Sequence, residues 1–561
     1  MENSTPSETE PLLAGTRDNE AKEETPGEDS PHGTFKYRFG MILSCIGCMV
    51  GTGNIWRFPR IAANNAGDNG ALQFLLVWIM FLFLWSIPMI VIEYAVGRYA
   101  KKTPVQIYRD FIGPRNMWCG GWILVVDLGI TCYYTVVLGW CFYYFYYTAA
   151  HVLPEEEQIS QKIFDNYAKE SSIPLVTHAV AISLAGIVVL WGVKSIEVFN
   201  SFVVPIFLLI ILVTFIWSLT LPHAGEGVKF LFTPDWGEFG NANLWIDAAS
   251  QNAWDTGAGM GLFVAYSGYM TARNGIVRFS NVIPLCNNLV SLVCGMMTFA
   301  TVFSVQTEMG ANKTQIVELL RDSGEANTGL TFIWLPILYS TMDGGRVLAV
   351  FFFLALSFAG LSSLVANVEL IAKSLVDFGM SRKVSVLVVV VFVFGFGSIS
   401  ALDMSFLINQ DFVWSFALII SGVMFQYLVL RYGTSLFRAK LINEYSIDDW
   451  YLPKVWEWVI KFIAPIEAAA LLIWFAVNQI LENPDDWYKM GEETLMTCLV
   501  QWLGAMIILN IVNLLYVFCY LPRRTPYENL DLAEKDEDSY PTENARRIIS
   551  SSEYEVEESK H

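Results

Sequence analysis

Residues 42–59 of the 561-residue chain read ILSCIGCMVGTGNIWRFP, and this stretch decides the fold class. It begins as an apolar helix and then places Gly47, Gly51 and Gly53 close together, just before the polar Asn54. Glycine costs about 1 kcal/mol relative to alanine inside a helix. At membrane depth, broken backbone is tolerated only where it is buried in protein or lines a cavity. The stretch therefore predicts a membrane helix that is interrupted so that its peptide groups can hold ions and a substrate.

The composition indicates a polytopic membrane protein. Hydrophobic residues make up 54% of the chain and charged residues only 16%, against about 25% charged in soluble proteins. The net charge of −19 lies largely in the tails and loops, and the chain lacks the basic patches of a nucleic-acid-binding protein. None of the five histidines belongs to an HExxH motif, and no nucleophile elbow or phosphate loop is present. We therefore expect a protein that is not an enzyme and has no nucleic-acid partner.

About twelve apolar runs reach the ~20 residues that span a bilayer. They cover approximately residues 39–62, 71–97, 118–149, 174–191, 196–221, 242–271, 282–306, 346–377, 384–402, 412–433, 455–481 and 494–520. Lysine and arginine cluster in one set of alternate loops, and acidic runs occupy the other set. The positive-inside rule then places both termini in the cytoplasm.

The sixth run repeats the interruption of the first. Residues 248–269 carry Gly257, Gly259 and Gly261 beside Asp255. Two broken spans at corresponding positions are typical of transporters built from inverted repeats, here of about five helices each. We divide the chain accordingly into a disordered acidic cytoplasmic tail (1–36), a first repeat with helices 1–5 (37–223), a second repeat with helices 6–10 (224–434), helices 11–12 (435–521) and a disordered cytoplasmic tail (522–561).

Five segments together resemble the neurotransmitter:sodium symporter family, whose fold is that of the bacterial leucine transporter. They are VGTGNIWRFP at 50–59, IEYAVGR at 92–98, Tyr133-Tyr134, residues 251–261 and SFAGLSS at 357–363. The resemblance covers roughly residues 36–520. It implies an all-α membrane fold and an atypical amino-acid transporter-like member.

The resemblance implies two sodium sites with oxygen ligands, which suit a hard cation. The first site would use the Met49 carbonyl, Asn54, Asp255, Asn287 and the substrate carboxylate. The second would use the carbonyls of Gly47, Val50 and Ala359 and the hydroxyls of Ser362 and Ser363. Helix packing is the alternative role for the two serines.

The resemblance places the substrate between the two breaks. The amides of Thr52 and Gly53 and the Tyr134 hydroxyl would bind its carboxylate, and carbonyls around Trp254, Asp255 and Gly257 would bind its amine. The side-chain subsite would consist of Cys48, Thr52, Ile130, Val137, Met260, Ser363 and Asn367, although plain helix packing is the alternative for Ile130, Val137 and Met260. Monoamine carriers of the family have aspartate where this chain has Gly51, so we expect a small neutral amino acid that brings its own carboxylate.

The chain departs from the family at the chloride site. Gln251, Asn287 and Ser291 remain, but the tyrosine of span 2 is absent, and counting along the span places Leu76 near its position. Asp255 stands at the serine or threonine position of span 6. We expect Asp255 to act as a fixed anion that offsets buried sodium, so that chloride is not required. A structural helix-end cap and a carboxyl protonated during part of the cycle are the alternatives.

The resemblance also suggests gates. Arg57 would pair on the outer side with Asp411, or with Asn409 after a register shift, above a lid of Trp254 and Tyr134. Tyr269 and Asp377 match inner gate positions, and the family's arginine and tryptophan before span 1 appear as His32 and Phe35, with Lys36 or Arg38 as substitutes.

The remaining signals lie in loops and tails. Helical patterns near 314–322 and 329–340 predict a re-entrant hairpin over the outer mouth, and Asn312 begins a glycosylation sequon. Leu12-Leu13 and Tyr527 match sorting signals for a clathrin adaptor.

The sequence therefore predicts a sodium-coupled amino-acid symporter that works by alternating access in the plasma membrane, in contact with membrane lipid. The alternatives are a proton-coupled or exchange carrier of the same fold on endosomal or lysosomal membranes, and a sensor that binds amino acids without transporting them.

Overall fold

The computed structural model describes residues 33–321 and 328–520, and all regular secondary structure in these residues is helical, with no strand among them. Every predicted span corresponds to a helix or to a broken helix. The bounds are span 1, Arg38–Met49, Thr52–Ile55 and Arg57–Asn64; span 2, Leu72–Ala100; span 3, Met117–Ala150; span 4, Ile173–Val189; span 5, Val193–Leu219; span 6, Ala242–Thr256 and Leu262–Ser267; span 7, Ile276–Glu308; span 8, Gly345–Asp377; span 9, Arg382–Leu402; span 10, Met404–Tyr432; span 11, Val455–Glu482; and span 12, Leu495–Cys519.

Within the described part of the chain, nine of these helices are long and apolar enough to cross a membrane. The other three are spans 1 and 6, which are broken, and span 4, which has 17 residues. Span 4 follows the short helix Glu157–Ala168 at a bend of 68°. The prediction of an all-α integral membrane fold with about twelve spans, the first and sixth broken, is confirmed. The repeat boundaries stay a prediction.

Spans differ in how deeply they lie in the bundle. In the most apolar window of span 3, 78% of residues are buried inside the protein, and the corresponding share in span 12 is 11%. In span 8 the share is 72%. Spans 3 and 8 therefore form an interior scaffold against which spans 1 and 6 pack, whereas span 12 presents most of its apolar surface to lipid.

Shorter helices connect the spans. They are Pro104–Ile112, Pro114–Asn116, Glu157–Ala168, Ala224–Leu231, Trp236–Gly240, Lys313–Arg321, Leu330–Ser340, Thr434–Leu436 and Phe437–Asn443. Lys313–Arg321 and Leu330–Ser340 confirm the two helical patterns predicted in the loop between spans 7 and 8. Arg321 donates to the backbone carbonyls of Ala63 (3.0 Å) and Ala66 (2.7 Å), which docks the first of these helices onto the outer end of span 1.

Span 2 contains a π-helical turn at Leu82–Ser86, where it meets span 6. Ser86 donates its hydroxyl to the side chain of Asn252 (2.6 Å). The assignment of Leu76 to the former tyrosine position is wrong, because its side chain is 44% exposed and faces away from span 6. Trp78 is the buried residue here, and its carbonyl accepts from Asn252 Nδ2 at 2.9 Å. A shift of two residues along a helix turns a side chain by about 200°, and this rotation is the physical reason for the error.

Candidate functional site

Span 1 is interrupted at Val50 and Gly51, whose backbone is extended, and the helix resumes at Thr52. Asn54 secures the new start, because its side-chain oxygen accepts from the Gly51 amide at 2.8 Å. Gly51 also permits close approach, since a Cβ there would lie 2.8 Å from Ser363 Oγ and 3.3 Å from the Tyr134 hydroxyl. The predicted break of span 1 is confirmed.

Span 6 is interrupted at three glycines. Gly257, Gly259 and Gly261 have φ of +63°, +97° and +84°, a backbone region that glycine adopts without steric cost. Glu93 of span 2 is completely buried beside them and accepts from the amides of Gly259 (2.7 Å) and Phe263 (3.2 Å). Its carboxylate thus satisfies donors that the broken helix leaves without a partner. The sequence analysis quoted Glu93 only as part of a motif and did not assign it this role.

Asp255 lies at the centre of a buried polar cluster that joins spans 1, 6 and 7. Gln251 donates to one of its carboxyl oxygens (2.8 Å) and Ser291 to the other (2.9 Å). Asn54 Nδ2 donates in turn to Ser291 Oγ (2.8 Å) and to Asn287 Oδ1 (2.9 Å). Asp255 is only 2% exposed, so it points into the protein and not toward lipid. The structure therefore brings together the four residues predicted at the anion position and the side chains predicted at the first sodium site.

A cavity lies between the two breaks. Its wall contains every residue predicted to bind the substrate except Val137, and adds Gly51, Asn54 and Leu262. The predicted residues in the wall are Cys48, Met49, Thr52, Gly53, Ile130, Tyr134, Trp254, Asp255, Gly257, Met260, Ser363 and Asn367. The Tyr134 hydroxyl accepts from Thr52 Oγ1 at 3.3 Å. Asn367 is 2% exposed, and its Oδ1 has no partner among the described residues, so the cavity offers a free hydrogen-bond acceptor.

The residues predicted at the second sodium site converge where span 8 passes the break in span 1. Ser363 Oγ lies 3.3 Å from the Gly47 carbonyl oxygen and 3.5 Å from that of Val50. Ser362 is fully buried and donates to the Ala359 carbonyl at 2.8 Å. This arrangement gathers backbone and hydroxyl oxygens in one place, the ligand type that a hard monovalent cation prefers.

A second cavity lies beyond Tyr134 and Trp254, and both predicted outer gate residues line it. Arg57 stacks over the Trp254 ring at 5.2 Å and is not among the ion pairs of the described residues. Asp411 accepts from Ser415 (3.3 Å), whereas Asn409 donates to the Glu492 carbonyl (2.9 Å) away from the cavity wall. Val137 lines this second cavity, about one turn beyond Tyr134, and its place in the side-chain subsite stays a prediction.

Tyr269 and Asp377, the two residues that match inner gate positions, lie in two different sets of contacts. Tyr269 hydrogen-bonds Glu369, which is fully buried and forms an ion pair with Arg382 at the start of span 9. Asp377 accepts from the backbone and hydroxyl of Thr103, both at 2.7 Å. Tyr269 and Asp377 therefore belong to separate contacts in this structure.

The segment before span 1 packs on the same inner surface. The Phe35 ring meets the rings of Tyr266 and Tyr269 edge-on. The other substitutes proposed for the family's inner arginine contact different groups: Lys36 lies over the Tyr37 ring, and Arg38 lies over the Phe279 ring. His32, Leu12-Leu13 and Tyr527 lie outside the described residues.

The comparison with known families decides the assignment. The profile of the sodium:neurotransmitter symporter family matches residues 32–173 and 158–521. The chain belongs to this family. The resemblance inferred from the sequence is confirmed, and because the family consists of transporters, so is the expectation that the chain is not an enzyme.

Individual relatives support the assignment. The chain is 29% identical over 369 residues to an uncharacterized sodium-dependent transporter of Methanocaldococcus jannaschii, covering 64% of this chain and 72% of the relative. It is 27% identical to a sodium- and chloride-dependent GABA transporter of Drosophila melanogaster, over 62% of this chain and 39% of that longer protein. The solved structure of MhsT in complex with L-phenylalanine matches with a TM-score of 0.68 and 25% identity, covering 79% of this chain and 99% of MhsT. The chain is thus a multi-pass membrane transporter of a sodium-dependent family.

The sequence analysis assigned no functional role to Asp127 of span 3. Its carboxyl group is fully buried, and neither oxygen has a hydrogen-bond partner among the described residues. Asp127 lies three residues before Ile130 and seven before Tyr134, so all three share one face of a continuous helix. The signal was present in the sequence, since an acidic residue in the middle of a long apolar run is a functional candidate by default.

Proposed function

We propose that this transporter is a secondary active symporter that couples the inward movement of sodium to that of a small neutral amino acid, by alternating access. The observation that carries the proposal is the cavity between the two breaks. Backbone and hydroxyl groups of Thr52, Gly53 and Tyr134 line it beside the Asp255 cluster. One wall can therefore bind a carboxylate while oxygen atoms next to it bind a cation.

The donor sets fit sodium. The Met49 carbonyl, Asn54, Asp255 and Asn287 would hold one ion together with the substrate carboxylate. The Gly47, Val50 and Ala359 carbonyls with Ser362 and Ser363 would hold the other. In the first set Asn54 already contacts Asn287 (2.9 Å), and in the second Ser363 Oγ already lies within 3.5 Å of two of the carbonyls. All of these ligands are oxygen atoms, as a hard cation requires.

Gly51 supports an amino acid as the substrate class. An acidic side chain at this position would lie against Ser363 and Tyr134, where the approach is already close. With glycine there, span 1 supplies no carboxylate to bind a substrate amine, and a substrate that brings its own carboxylate fits. MhsT, the solved structure that matches this fold, is in complex with L-phenylalanine, a neutral amino acid.

Asp255 supports transport without chloride. Burying sodium without a compensating anion is costly, and Asp255 places a carboxylate between Gln251 and Ser291, two of the residues expected at a chloride site. We therefore propose Asp255 as the fixed anion.

The gates follow from the same geometry. We propose that Arg57 and Asp411 approach each other when the outer cavity closes, and that Tyr269 and the segment around Asp377 separate when the inner side opens. Glu369 and Arg382 would have to part in that step, because their ion pair ties span 8 to span 9.

The charge distribution supports both termini in the cytoplasm, and we propose the plasma membrane as the location. In this orientation Asn312 lies on the outer side. It is exposed and caps Lys313–Arg321 by accepting from the Gln315 amide (3.0 Å), so its sequon is accessible for glycosylation. Leu12-Leu13 and Tyr527 would recruit a clathrin adaptor.

The test is uptake into proteoliposomes from a panel of labelled amino acids, with an inward sodium gradient, an inward proton gradient or neither. We expect concentrative uptake of at least one neutral amino acid under the sodium gradient alone, and its loss in Asn54→Ala. Binding without uptake under either gradient would instead identify a sensor.

A second candidate function, proton-coupled transport, is favoured by Asp127. An ionised carboxylate without a partner is costly to bury, so a carboxyl at this place can bind a proton while the inner side is closed and release it when water enters. Accumulation driven by the proton gradient, abolished by Asp127→Asn, would establish this alternative and exclude strict sodium coupling.

A further inference from the structure

Asn200 of span 5 is fully buried, and neither its amide nitrogen nor its amide oxygen has a hydrogen-bond partner among the described residues. Buried side-chain amides are nearly always paired in native proteins. A fully orphaned amide therefore indicates a partner that is not a protein atom. The sequence analysis assigned Asn200 no role.

The position of Asn200 identifies the neighbourhood of that partner. A Cβ on Gly47 would lie 3.2 Å from Asn200 Oδ1, 3.2 Å from Ser362 Cβ and 2.8 Å from Val204, which lies one turn further along span 5. The absence of a side chain at Gly47 thus lets spans 1, 5 and 8 meet. The Gly47 carbonyl is itself 3.3 Å from Ser363 Oγ, so Asn200 stands beside the oxygen atoms of the second proposed sodium site.

We propose that Asn200 Oδ1 is a further oxygen ligand of the second sodium site, contributed by span 5. This inference rests on the proposed function, which draws ligands for that site only from spans 1 and 8. An uncharged amide oxygen suits sodium, since hard cations take carbonyl and carboxylate oxygens. It also gives the orphaned acceptor its missing partner.

The consequence is that the second sodium ion ties span 1 to span 5. The two spans already meet nearer the cytoplasmic end of span 1, where Glu197 accepts from the amides of Lys36 (2.9 Å) and Tyr37 (2.7 Å). A sodium ion bound to Gly47 and Asn200 would connect spans 1 and 5 again, further along both helices. Its release would loosen this contact and favour inward opening.

The experiment is a sodium titration of thermal stability on the purified full chain in detergent, with choline chloride keeping the ionic strength constant. A ligand that binds only the folded state stabilises it by RT ln(1 + [L]/Kd), so the sodium dissociation constant is obtained by fitting the rise of the melting temperature with sodium concentration. We expect Asn200→Leu, which keeps the volume and removes both polar atoms, to raise this dissociation constant by about tenfold or more. Asn200→Asp, which keeps an oxygen in place, should retain the sodium response.

Asn513→Leu is the matched control, because Asn513 is also a buried membrane asparagine with an unpaired Oδ1 but lies in span 12. It should leave the fitted sodium dissociation constant unchanged. If Ser363→Ala weakens the sodium response and Asn200→Leu does not, the role of Asn200 is refuted while the second site stands. If the wild type shows no stabilisation by sodium, the proposed function fails together with this inference. If Asn200→Leu does not fold, Asn200→Ala is titrated against Asn513→Ala with the same two outcomes.

Discussion

Asp255 is the residue on which the ion chemistry of this transporter depends. It accepts hydrogen bonds from Gln251 and Ser291, and Asn54 connects Ser291 to Asn287, so one carboxylate organises side chains from three spans. Such a network is fully effective only if every member is satisfied. The replacement of a single member should therefore change ion dependence more than it changes the fold.

The first prediction concerns chloride. Wild-type uptake should persist when chloride is replaced by gluconate, because Asp255 provides the negative charge within the protein. Asp255→Ser removes that charge, and uptake should then require chloride in the medium. Uptake rates in the two buffers provide the measurement, with Asp165→Asn, on the short helix Glu157–Ala168, as the control. A wild-type protein that stops transporting in gluconate would contradict the fixed-anion role.

The second prediction concerns Gly51. Alanine at this position would place a methyl group 2.8 Å from Ser363 Oγ, and overpacking of this kind costs about 1–3 kcal/mol. We expect Gly51→Ala to weaken amino-acid binding by about tenfold or more, since 1.4 kcal/mol corresponds to a factor of ten. Gly504→Ala, where the new methyl group meets open space, is the control. Equal binding by the two variants would show that Gly51 does not face the substrate.

At the level of elements, the breaks in spans 1 and 6 are stabilised by different hydrogen bonds. Glu93 of span 2 accepts from the amides of Gly259 and Phe263, and Asn54 accepts from the Gly51 amide within span 1 itself. The break of span 6 thus depends on a neighbouring span, whereas that of span 1 is partly self-contained.

The third prediction follows from this difference. Glu93→Ala leaves two buried amides without an acceptor, which should lower the free energy of unfolding by about 1–3 kcal/mol or more and reduce amino-acid binding. Glu93→Gln keeps one acceptor oxygen and should recover part of both. Thermal melting and equilibrium binding in detergent measure the two effects. Full stability and binding in Glu93→Ala would mean that the segment Gly257–Gly261 needs no support from span 2.

The glycine clusters make both breaks predictable from sequence, because three closely spaced glycines at membrane depth disfavour a continuous helix. Most of the cavity wall was also predictable, since the motifs carry most of the lining residues, but Leu262 was not proposed. The register of span 2 could not be predicted from the sequence, because Leu76 and Trp78 are both large apolar residues. Only the packing shows which of the two is buried at the contact with span 6. The orphaned Asn200 and the Glu369–Arg382 pair depend on contacts between spans that no local pattern reveals.

On the scale of the whole molecule, the two ends of the site differ in how their charged residues are paired. Arg57 and Asp411 line the second cavity without an ion pair between them, whereas Glu369 and Arg382 are paired at the other end. With the proposed orientation, closure of the inner side depends on a buried carboxylate whose partner lies on the next span.

The fourth prediction tests that closure. Glu369→Gln removes the ion pair and should favour inward opening, which exposes Cys48 to thiol reagents from the cytoplasmic side. Labelling of Cys48, in a background in which the more accessible Cys286 and Cys519 are serine, should become about tenfold faster for each 1.4 kcal/mol lost from the closed state. The control is Glu444→Gln, which breaks the exposed Lys440–Glu444 pair and should leave labelling unchanged. Unchanged labelling in Glu369→Gln would show that other contacts keep the inner side closed.

The central claim is that one cavity between two broken helices binds sodium and an amino acid as neighbours. Equilibrium binding of a labelled neutral amino acid to the purified protein, titrated with sodium against potassium, tests it most directly. Linkage requires that sodium raise amino-acid affinity and that the amino acid raise sodium affinity by the same factor. We predict saturable binding in sodium, little in potassium, and loss of the sodium effect in Asn54→Ala. Amino-acid affinity that is the same in sodium and in potassium would contradict the account.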